Sequence, residues 1–193
     1  DWYHINYASP EKEDYVFEDK TLKVQKRVEE INSRDTTAIY DTVNYTHIGP
    51  VVYDDSFTPA MENLTALKKG YSLRWTLHDG SNEQGAILGI NGAKNHEEFL
   101  AGVQKFYAPA QNFAYASVQG DIAMHVQGNF PLKWRNQGKF IMPGNSETYE
   151  ANIMIPQNQN PRIVNPRQGY VTSANQYPVD EYYPYFVYDH QYA

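Results

Sequence analysis

The sequence predicts an α+β fold that is predominantly β, and three observations support this prediction. Tyrosine is unusually frequent, at 17 of 193 residues, and aromatic side chains favour strands. Runs rich in Thr, Val, Ile and Tyr recur through the first two thirds of the chain, with turn residues between them. One segment has helical periodicity instead. We therefore expect a sheet-rich part over 1–131 with one helix near 95–107, followed by loops and short strands rich in Pro, Asn and Tyr over 132–193.

Bulk composition excludes several classes of site and partner. The chain has 16 Lys and Arg against 23 Asp and Glu, a net charge of −7. No basic block offsets this charge, so we expect neither a nucleic-acid partner nor an anionic membrane partner. The absence of cysteine excludes disulfides, thiolate metal sites and a Cys nucleophile from these residues. No apolar run approaches the roughly 18 residues of a membrane span.

The first strands are expected as a hairpin. Tyr15–Phe17 and the run 21–31 flank the turn residues 18–20, which predicts two antiparallel strands. The apolar residues of the second run also fit helical spacing, so its assignment as a strand is ambiguous. The run 36–46 is crowded with β-branched residues and tyrosines, and Pro50 precedes another short apolar run; both predict strands.

The segment 71–79 alternates regularly. Leu73, Trp75 and Leu77 fall on one face, and polar residues fall on the other. This pattern is typical of a half-buried antiparallel strand with the three apolar residues inward.

The predicted helix has a clear start. Asn95 is placed as its N-cap, and Glu98 follows three residues later, as in a capping box. Phe99, Val103 and Phe106 then share one stripe at spacings of four and three residues. We expect this stripe to face the core.

A hairpin follows the helix, and its first strand starts with an unusual residue. Ile122, Met124 and Val126 alternate with smaller or polar residues after a turn at 119–121. The strand before that turn opens with Asn112, although Asn is depleted in strands. The residue either closes the preceding loop or directs its amide at a functional partner. An Asn amide can stabilise an oxyanion without titrating, and one such donor contributes on the order of 3 kcal/mol to a transition state.

Motifs for familiar catalytic sites are missing from the chain. It contains no phosphate-binding loop, dinucleotide fingerprint, HExxH or G-x-S-x-G. The six histidines are scattered singly, which favours structural roles over metal binding. Taken alone, these residues identify neither a nucleophile nor a general base.

Four stretches in order give a resemblance to a known family. They are "HIGPVVYD", "PAQNFAYASVQGDIAMHVQGNFPLKW", "GKFIMPG" and "NPRQGYVTSANQYP". Together with the helix before the second stretch, they resemble the penicillin acylase (penicillin amidase) family of N-terminal nucleophile hydrolases over nearly all 193 residues. The resemblance implies that 1–193 is a single central fragment of the β-chain. It also implies that this fragment forms part of an αββα sandwich.

The resemblance implies a particular amide hydrolysis. In this family the precursor cleaves itself and exposes a serine at the start of the large chain, which is expected before Asp1. The serine attacks an amide carbonyl, and its own α-amino group, with a pKa of about 8, accepts the proton. A backbone N–H and an Asn side chain hold the oxyanion, and Asn112 is in the place of that Asn. The isolated fragment is therefore expected to be inactive.

Further site residues follow from the same resemblance. Lys133 occupies the position of a basic residue that steadies the site electrostatically, where the family has Arg, and Arg135 lies two residues on. Lys and Arg differ in how they bind carboxylates. Asn175 and Gln176 are candidates for the polar wall of the site, and loop capping explains them equally well.

An apolar acyl-binding surface and a metal ligand are also expected. Trp75 and Phe113 are the main candidates for the acyl surface, although core packing accounts equally well for such residues. Asp1 matches the last Asp of a calcium-binding segment in the family, and hard oxygen ligands suit that ion. A structural Ca²⁺ is therefore possible in the intact parent, whereas no cofactor is expected for catalysis.

The expected partners are a small acyl amide and the rest of the parent α and β chains. Substrates of the penicillin or acyl-homoserine-lactone type fit the family, which also suggests a role in antibiotic biosynthesis and a periplasmic or extracellular location. Two alternatives remain open. The chain could be a non-catalytic family member, or its tyrosines could mark an unrelated carbohydrate-binding β domain.

Overall fold

Over the residues that it describes, the computed structural model has more strand than helix, with two α-helices, so the predominantly β prediction is confirmed. The chain divides into two compact units. Unit 1 comprises Asp1–Trp75 and Gln137–Glu150, and unit 2 comprises Thr76–Asn136 and Ala151–Ala193. In the part of the chain that the structure describes, neither helix is long and apolar enough to cross a membrane. The described residues are 1–34, 36–53, 69–174 and 177–187.

Unit 1 is built around a four-stranded sheet. Its strands are β1 (Trp2–Asn6), β6 (Val51–Tyr53), β7 (Lys69–Leu73) and β10 (Met142–Pro143). They lie in the order β10-β1-β7-β6, and β1 runs antiparallel to β7 and parallel to β10. Strand β1 was not predicted from the sequence.

Two separate antiparallel ribbons complete unit 1. The first pairs β2 (Asp14–Phe17) with β3 (Lys20–Lys23), which confirms the predicted hairpin. The second pairs β4 (Gln25–Ile31) with β5 (Ile39–Tyr45). The run predicted as one strand over 21–31 is therefore two strands, with the buried Val24 between them.

The core of unit 1 is aromatic. Alternate residues of β1, Tyr3 and Ile5, are almost fully buried and continue to Tyr7 just after the strand. They cluster with Tyr15 of β2 and with Ile48. The tyrosines of this region therefore act largely as core residues, and the Tyr3 hydroxyl donates to the Tyr149 carbonyl at 3.0 Å.

The prediction of a strand over 71–79 was largely wrong. Only residues to Leu73 belong to β7, and a short 3₁₀ turn occupies Thr76–Asp79. The buried face is also the opposite one: Ser72 is fully buried, whereas Trp75 and Leu77 are exposed. The buried hydroxyl of Ser72 is stable there because it donates to the Gly49 carbonyl at 2.8 Å.

Unit 2 contains both helices. Helix α2 spans His96–Val103, with Asn95 as N-cap accepting from the Glu98 amide at 2.9 Å. The cap prediction is confirmed, but the helix ends four residues before the predicted end. Helix α1 (Glu83–Gly92) was not predicted, because glycines at three of its positions weaken the helical signal.

Glycines allow the two helices to approach closely. A Cβ added to Gly102 of α2 would lie 2.7 Å from the backbone nitrogen of Ile90 on α1. A Cβ on Gly89 would lie 3.2 Å from the Cα of Gly102. Of the three glycines that obscure α1 in the sequence, Gly89 is therefore part of the packing contact with α2.

Unit 2 also contains a three-stranded antiparallel sheet of β8 (Gln111–Ala116), β9 (Ile122–Gln127) and β11 (Arg162–Val164). Its order is β11-β9-β8, and the predicted hairpin of β8 and β9 is confirmed. The predicted alternation on β9 is not observed: Ala123, His125 and Gln127 are buried, and so is Met124 on the other face. A central strand is covered on both faces, so its polar residues are buried as well.

Candidate active site

Asn112 lies at the open end of the β8–β9 hairpin. It is the second residue of β8 and pairs with Val126 of β9. Directly opposed residues of an antiparallel pair point to the same face, so Asn112 shares its face with Val126. The Asn112 side chain is exposed, which leaves its amide accessible to a ligand.

A distant segment meets the Asn112 amide. The Nδ2 of Asn112 donates to the Oγ of Ser173 at 2.8 Å, although the two residues are 61 positions apart. An Asn amide has two N–H donors. Ser173 accepts from one of them, and among the described residues Asn112 Nδ2 has no other hydrogen-bond partner. The arrangement can therefore bind an anionic oxygen with the second N–H.

A cavity of about 570 Å³ opens on the same face of the sheet. Met124 and Val126 of β9 line it, together with Tyr182 and Tyr183. Its lining is largely apolar, and its volume is in the range of small-molecule pockets. The face of the sheet that presents Asn112 thus also offers room for an apolar group.

Phe113 points to the other face of β8. Its ring packs edge-on against Phe106, with the ring centroids 5.1 Å apart. The two residues therefore form a core contact of unit 2, which is the packing alternative that the sequence left open. The structure does not bring Phe113 and Asn112 to the same face.

The two basic candidates lie beyond the hairpin. Lys133 is half-buried and forms an isolated antiparallel bridge with Phe186. Arg135 is exposed. Both belong to unit 2, as Asn112 does, and their roles stay predictions.

Two further candidates belong to unit 1. Trp75 is 45% exposed at the end of its segment. The backbone nitrogen of Asp1 donates to the Arg74 carbonyl at 2.8 Å. Asn175 and Gln176, the candidates for the polar wall, lie outside the described residues.

The described residues do not assemble a calcium site. Across 1–34, 36–53, 69–174 and 177–187, no group of three or more His, Cys, Asp or Glu could hold a metal ion. Calcium takes six to eight oxygen ligands, so Asp1 alone does not supply enough ligands to bind the ion. A role for Asp1 would need ligands from other parts of the parent.

Two histidines that look isolated in the sequence form a pair. The Nε2 atoms of His96, at the start of α2, and His125, on β9, lie 2.9 Å apart. The ring centroids are 5.2 Å apart, and at the Nε2–Nε2 distance one ring nitrogen can donate a hydrogen bond to the other. Burial lowers the pKa of His125 to about 4, and the neighbouring His96 and Arg162 act in the same direction. His125 is therefore a neutral core residue at pH 7.

A second histidine network lies in unit 1. Tyr15 Oη accepts from the His47 backbone N–H at 3.0 Å and lies 2.9 Å from His47 Nδ1. On the other side of the ring, His47 Nε2 lies 2.7 Å from Glu150 Oε1. A proton on Nε2 that points to the carboxylate leaves Nδ1 as the acceptor of the Tyr15 hydroxyl proton. The network thus joins three chain segments of unit 1.

The Tyr15 hydroxyl is not available as a nucleophile. Its residue is 2% exposed. Burial raises the pKa of Tyr15, the hydrogen bond from the His47 backbone lowers it, and the charge of Glu150 raises it, with a net rise. A protonated, buried hydroxyl suits a structural donor.

Sequence analysis missed Ser173 and both histidine networks. Their partners are separated by 29 residues for His96 and His125, and by 103 for His47 and Glu150. Local spacing carries no signal for contacts over such distances. The resemblance made Asn175 and Gln176 candidates for the polar wall of the site, but it did not single out Ser173.

Comparisons with known proteins bear on the whole chain. The family model of penicillin amidase matches residues 1–193. Among solved structures, the thermostable penicillin G acylase from Alcaligenes faecalis matches with a TM-score of 0.80 at 23% sequence identity. The match covers 96% of this chain and 33% of that chain, so these 193 residues span about one third of its length. At this identity the structural match shows a shared fold, while the match of the family model over every residue shows that the chain belongs to the penicillin amidase family.

Proposed function

We propose that this chain is part of an amidohydrolase that cleaves acyl amides through an N-terminal serine lying outside these residues. Membership of the penicillin amidase family supports the reaction class. The single observation in the structure that best supports it is the accessible Asn112 amide, which has a second N–H for an oxyanion. Substrates of the penicillin or acyl-homoserine-lactone type fit such a site.

The proposed reaction has two steps. The serine Oγ attacks the amide carbonyl carbon and its proton passes to the α-amino group of the same residue. The carbonyl oxygen becomes an oxyanion held by Asn112 Nδ2–H and by a backbone N–H from another part of the parent. The C–N bond then breaks as the α-ammonium group protonates the leaving amine, and water hydrolyses the acyl-serine ester.

The roles of two basic residues and the processing and location of the parent are also proposed. Lys133 would steady the oxyanion electrostatically, with Arg135 as the second basic candidate, and the parent would cleave itself and reside in the periplasm or outside the cell. The alternative, an unrelated carbohydrate-binding domain, finds no support in the comparisons.

Processing of the full-length parent tests this function. We would express it, determine the chain masses and N-terminal sequences, and assay hydrolysis of a panel of chromogenic acyl amides. We expect two chains, with the larger one beginning at Ser, and hydrolysis that is abolished when that serine is replaced by alanine. A single unprocessed chain without hydrolysis would contradict the proposal and favour a non-catalytic family member.

A further inference from the structure

We propose that Ser173 is a positioning residue that holds the Asn112 amide in the orientation needed for an oxyanion. This inference rests on the proposed function, in which Asn112 is the side-chain donor. It assigns a role to a residue that neither the family match nor the sequence analysis singled out.

An exposed Asn side chain has considerable rotational freedom. The terminal torsion of Asn has broad, shallow preferences, and the Asn112 side chain is exposed. Without a partner, its planar amide would rotate and present its N–H groups in many directions. The 2.8 Å bond from Nδ2 to Ser173 Oγ fixes one N–H. Because both N–H groups lie in one plane, the direction of the second is then fixed as well.

Ser173 is part of an anchored segment. Upstream, Asn165 bonds to the backbone of Ile122 in both directions: its N–H donates to the carbonyl at 2.8 Å, and its Oδ1 accepts from the Ile122 N–H at 2.9 Å. Asn165 Nδ2 also donates to Asp121 at 2.9 Å. The segment is therefore tied to the turn end of the hairpin before it reaches the open end.

A turn directs the chain between these two contacts. Gly169 has φ +76° and its N–H donates to the Pro166 carbonyl at 2.9 Å. This backbone conformation suits glycine, and it lets the segment continue to Ser173 beside Asn112. The hydroxyl of Ser173 is thus presented by a segment that is bonded to both ends of the same hairpin, and not by an unrestrained loop.

Pre-orientation of a donor acts on the chemical step. A donor that must first be ordered contributes less to the transition state than one already in place. Loss of the Ser173 hydroxyl should therefore reduce kcat and leave KM nearly unchanged, since the oxyanion forms only during the reaction. Threonine keeps a hydroxyl at the same position and should retain most of the activity.

The test uses kcat and KM of the full-length parent with one acyl amide. We expect Ser173→Ala to lower kcat about tenfold with KM within about twofold, and Ser173→Thr to restore kcat to near the parent value. Asn112→Ala should lower kcat by about two to three orders of magnitude. The double variant should be no slower than Asn112→Ala alone, because Ser173 acts through Asn112. Ser33→Ala, an exposed serine of unit 1, serves as the matched control.

The possible failures are distinguishable. If Asn112→Ala is slow and Ser173→Ala is normal, the positioning role is wrong and the proposed function stands. A double variant much slower than Asn112→Ala alone would also overturn the role, because the two residues would then act independently. If Asn112→Ala turns over normally, Asn112 has no part in the mechanism and Ser173 has nothing to position. A parent that hydrolyses no acyl amide refutes the proposed function itself.

Discussion

The two units of this chain each contain polar side chains of the types found in active sites. They differ in whether these side chains are exposed and keep a hydrogen-bond donor that a ligand could use. In unit 1, the Tyr15–His47–Glu150 network connects its members to one another, and its tyrosine is 2% exposed. In unit 2, Asn112 is exposed and its amide keeps a second N–H donor. Residue types alone would favour the network as the catalytic site. Accessibility and unused hydrogen-bonding capacity favour Asn112.

The comparison predicts opposite consequences of mutation in the two places. Changes in the network of unit 1 should affect stability and leave the chemical step intact. Changes at Asn112 should slow the chemical step and leave stability nearly unchanged, because an exposed side chain contributes little to folding.

His47→Ala should have the largest effect on stability. It removes the partner of Glu150, whose side chain is only 11% exposed, and it removes the contacts with Tyr15 and Phe17. Leaving a buried carboxylate without its partner should cost about 3 to 4 kcal/mol. Amide hydrogen exchange of β2 in the full-length parent measures this loss as faster local opening.

The control for this prediction is His78→Ala, which changes an exposed histidine of unit 2. Exchange in β2 should be unchanged in that variant. If His47→Ala also left exchange in β2 unchanged, the network would not be structural. A catalytic role for it would then need to be considered.

Acid should weaken unit 2 through His125. Burial lowers the pKa of His125 to about 4 from an ordinary value near 6.5. The folded state thus favours neutral His125, so its contribution is complete above pH 6.5 and is lost as the pH falls towards 4. The titratable or charged groups facing it are His96 on α2 and Arg162 on β11. The loss is expected to be up to about 3 kcal/mol.

Amide exchange of β9 at pH 7 and pH 4.5, corrected for intrinsic rates, measures this loss. His125→Gln should open more easily than the parent at pH 7 and should show a smaller change between the two pH values. An equal pH dependence in the parent and the variant would show that His125 is not the group responsible.

Tyr15→Phe should have the smallest effect of the three. Phenylalanine keeps the ring in the core and removes only the hydroxyl, which leaves the His47 backbone N–H and Nδ1 without that partner. We expect about 1 to 2 kcal/mol of destabilisation, measured by the same exchange experiment on β2. The exposed Tyr40, 64% exposed in the same unit, gives a matched Tyr→Phe control with no change expected.

Local features of the fold were predictable from the sequence. The β2–β3 and β8–β9 hairpins and the Asn95 cap depend on residues within a few positions of one another, and all three were predicted. Helix α1 was missed, because its glycines lower helix propensity and the packing of Gly89 against α2 is visible only in three dimensions. Burial on β9 was misjudged for a related reason, since a strand covered on both faces buries its polar residues too.

The candidate site was predictable only in part. Asn112 was recognised because Asn is unusual at the start of a strand and because the family resemblance gives that position a role. Ser173 was not recognised, because a serine in a polar loop has no distinctive pattern and its partner lies 61 residues away. The histidine pair was missed for the same reason.

Two variants of the full-length parent, Asn112→Ala and Tyr15→Phe, test whether Asn112 acts in catalysis and the Tyr15 network in stability. For each, we would measure kcat with an acyl amide and amide exchange in the unit that contains the change. We expect Asn112→Ala to lower kcat by about two to three orders of magnitude with normal exchange, and Tyr15→Phe to speed exchange with normal kcat. Normal turnover in Asn112→Ala, or a comparable loss of kcat in Tyr15→Phe without faster exchange, would contradict the account.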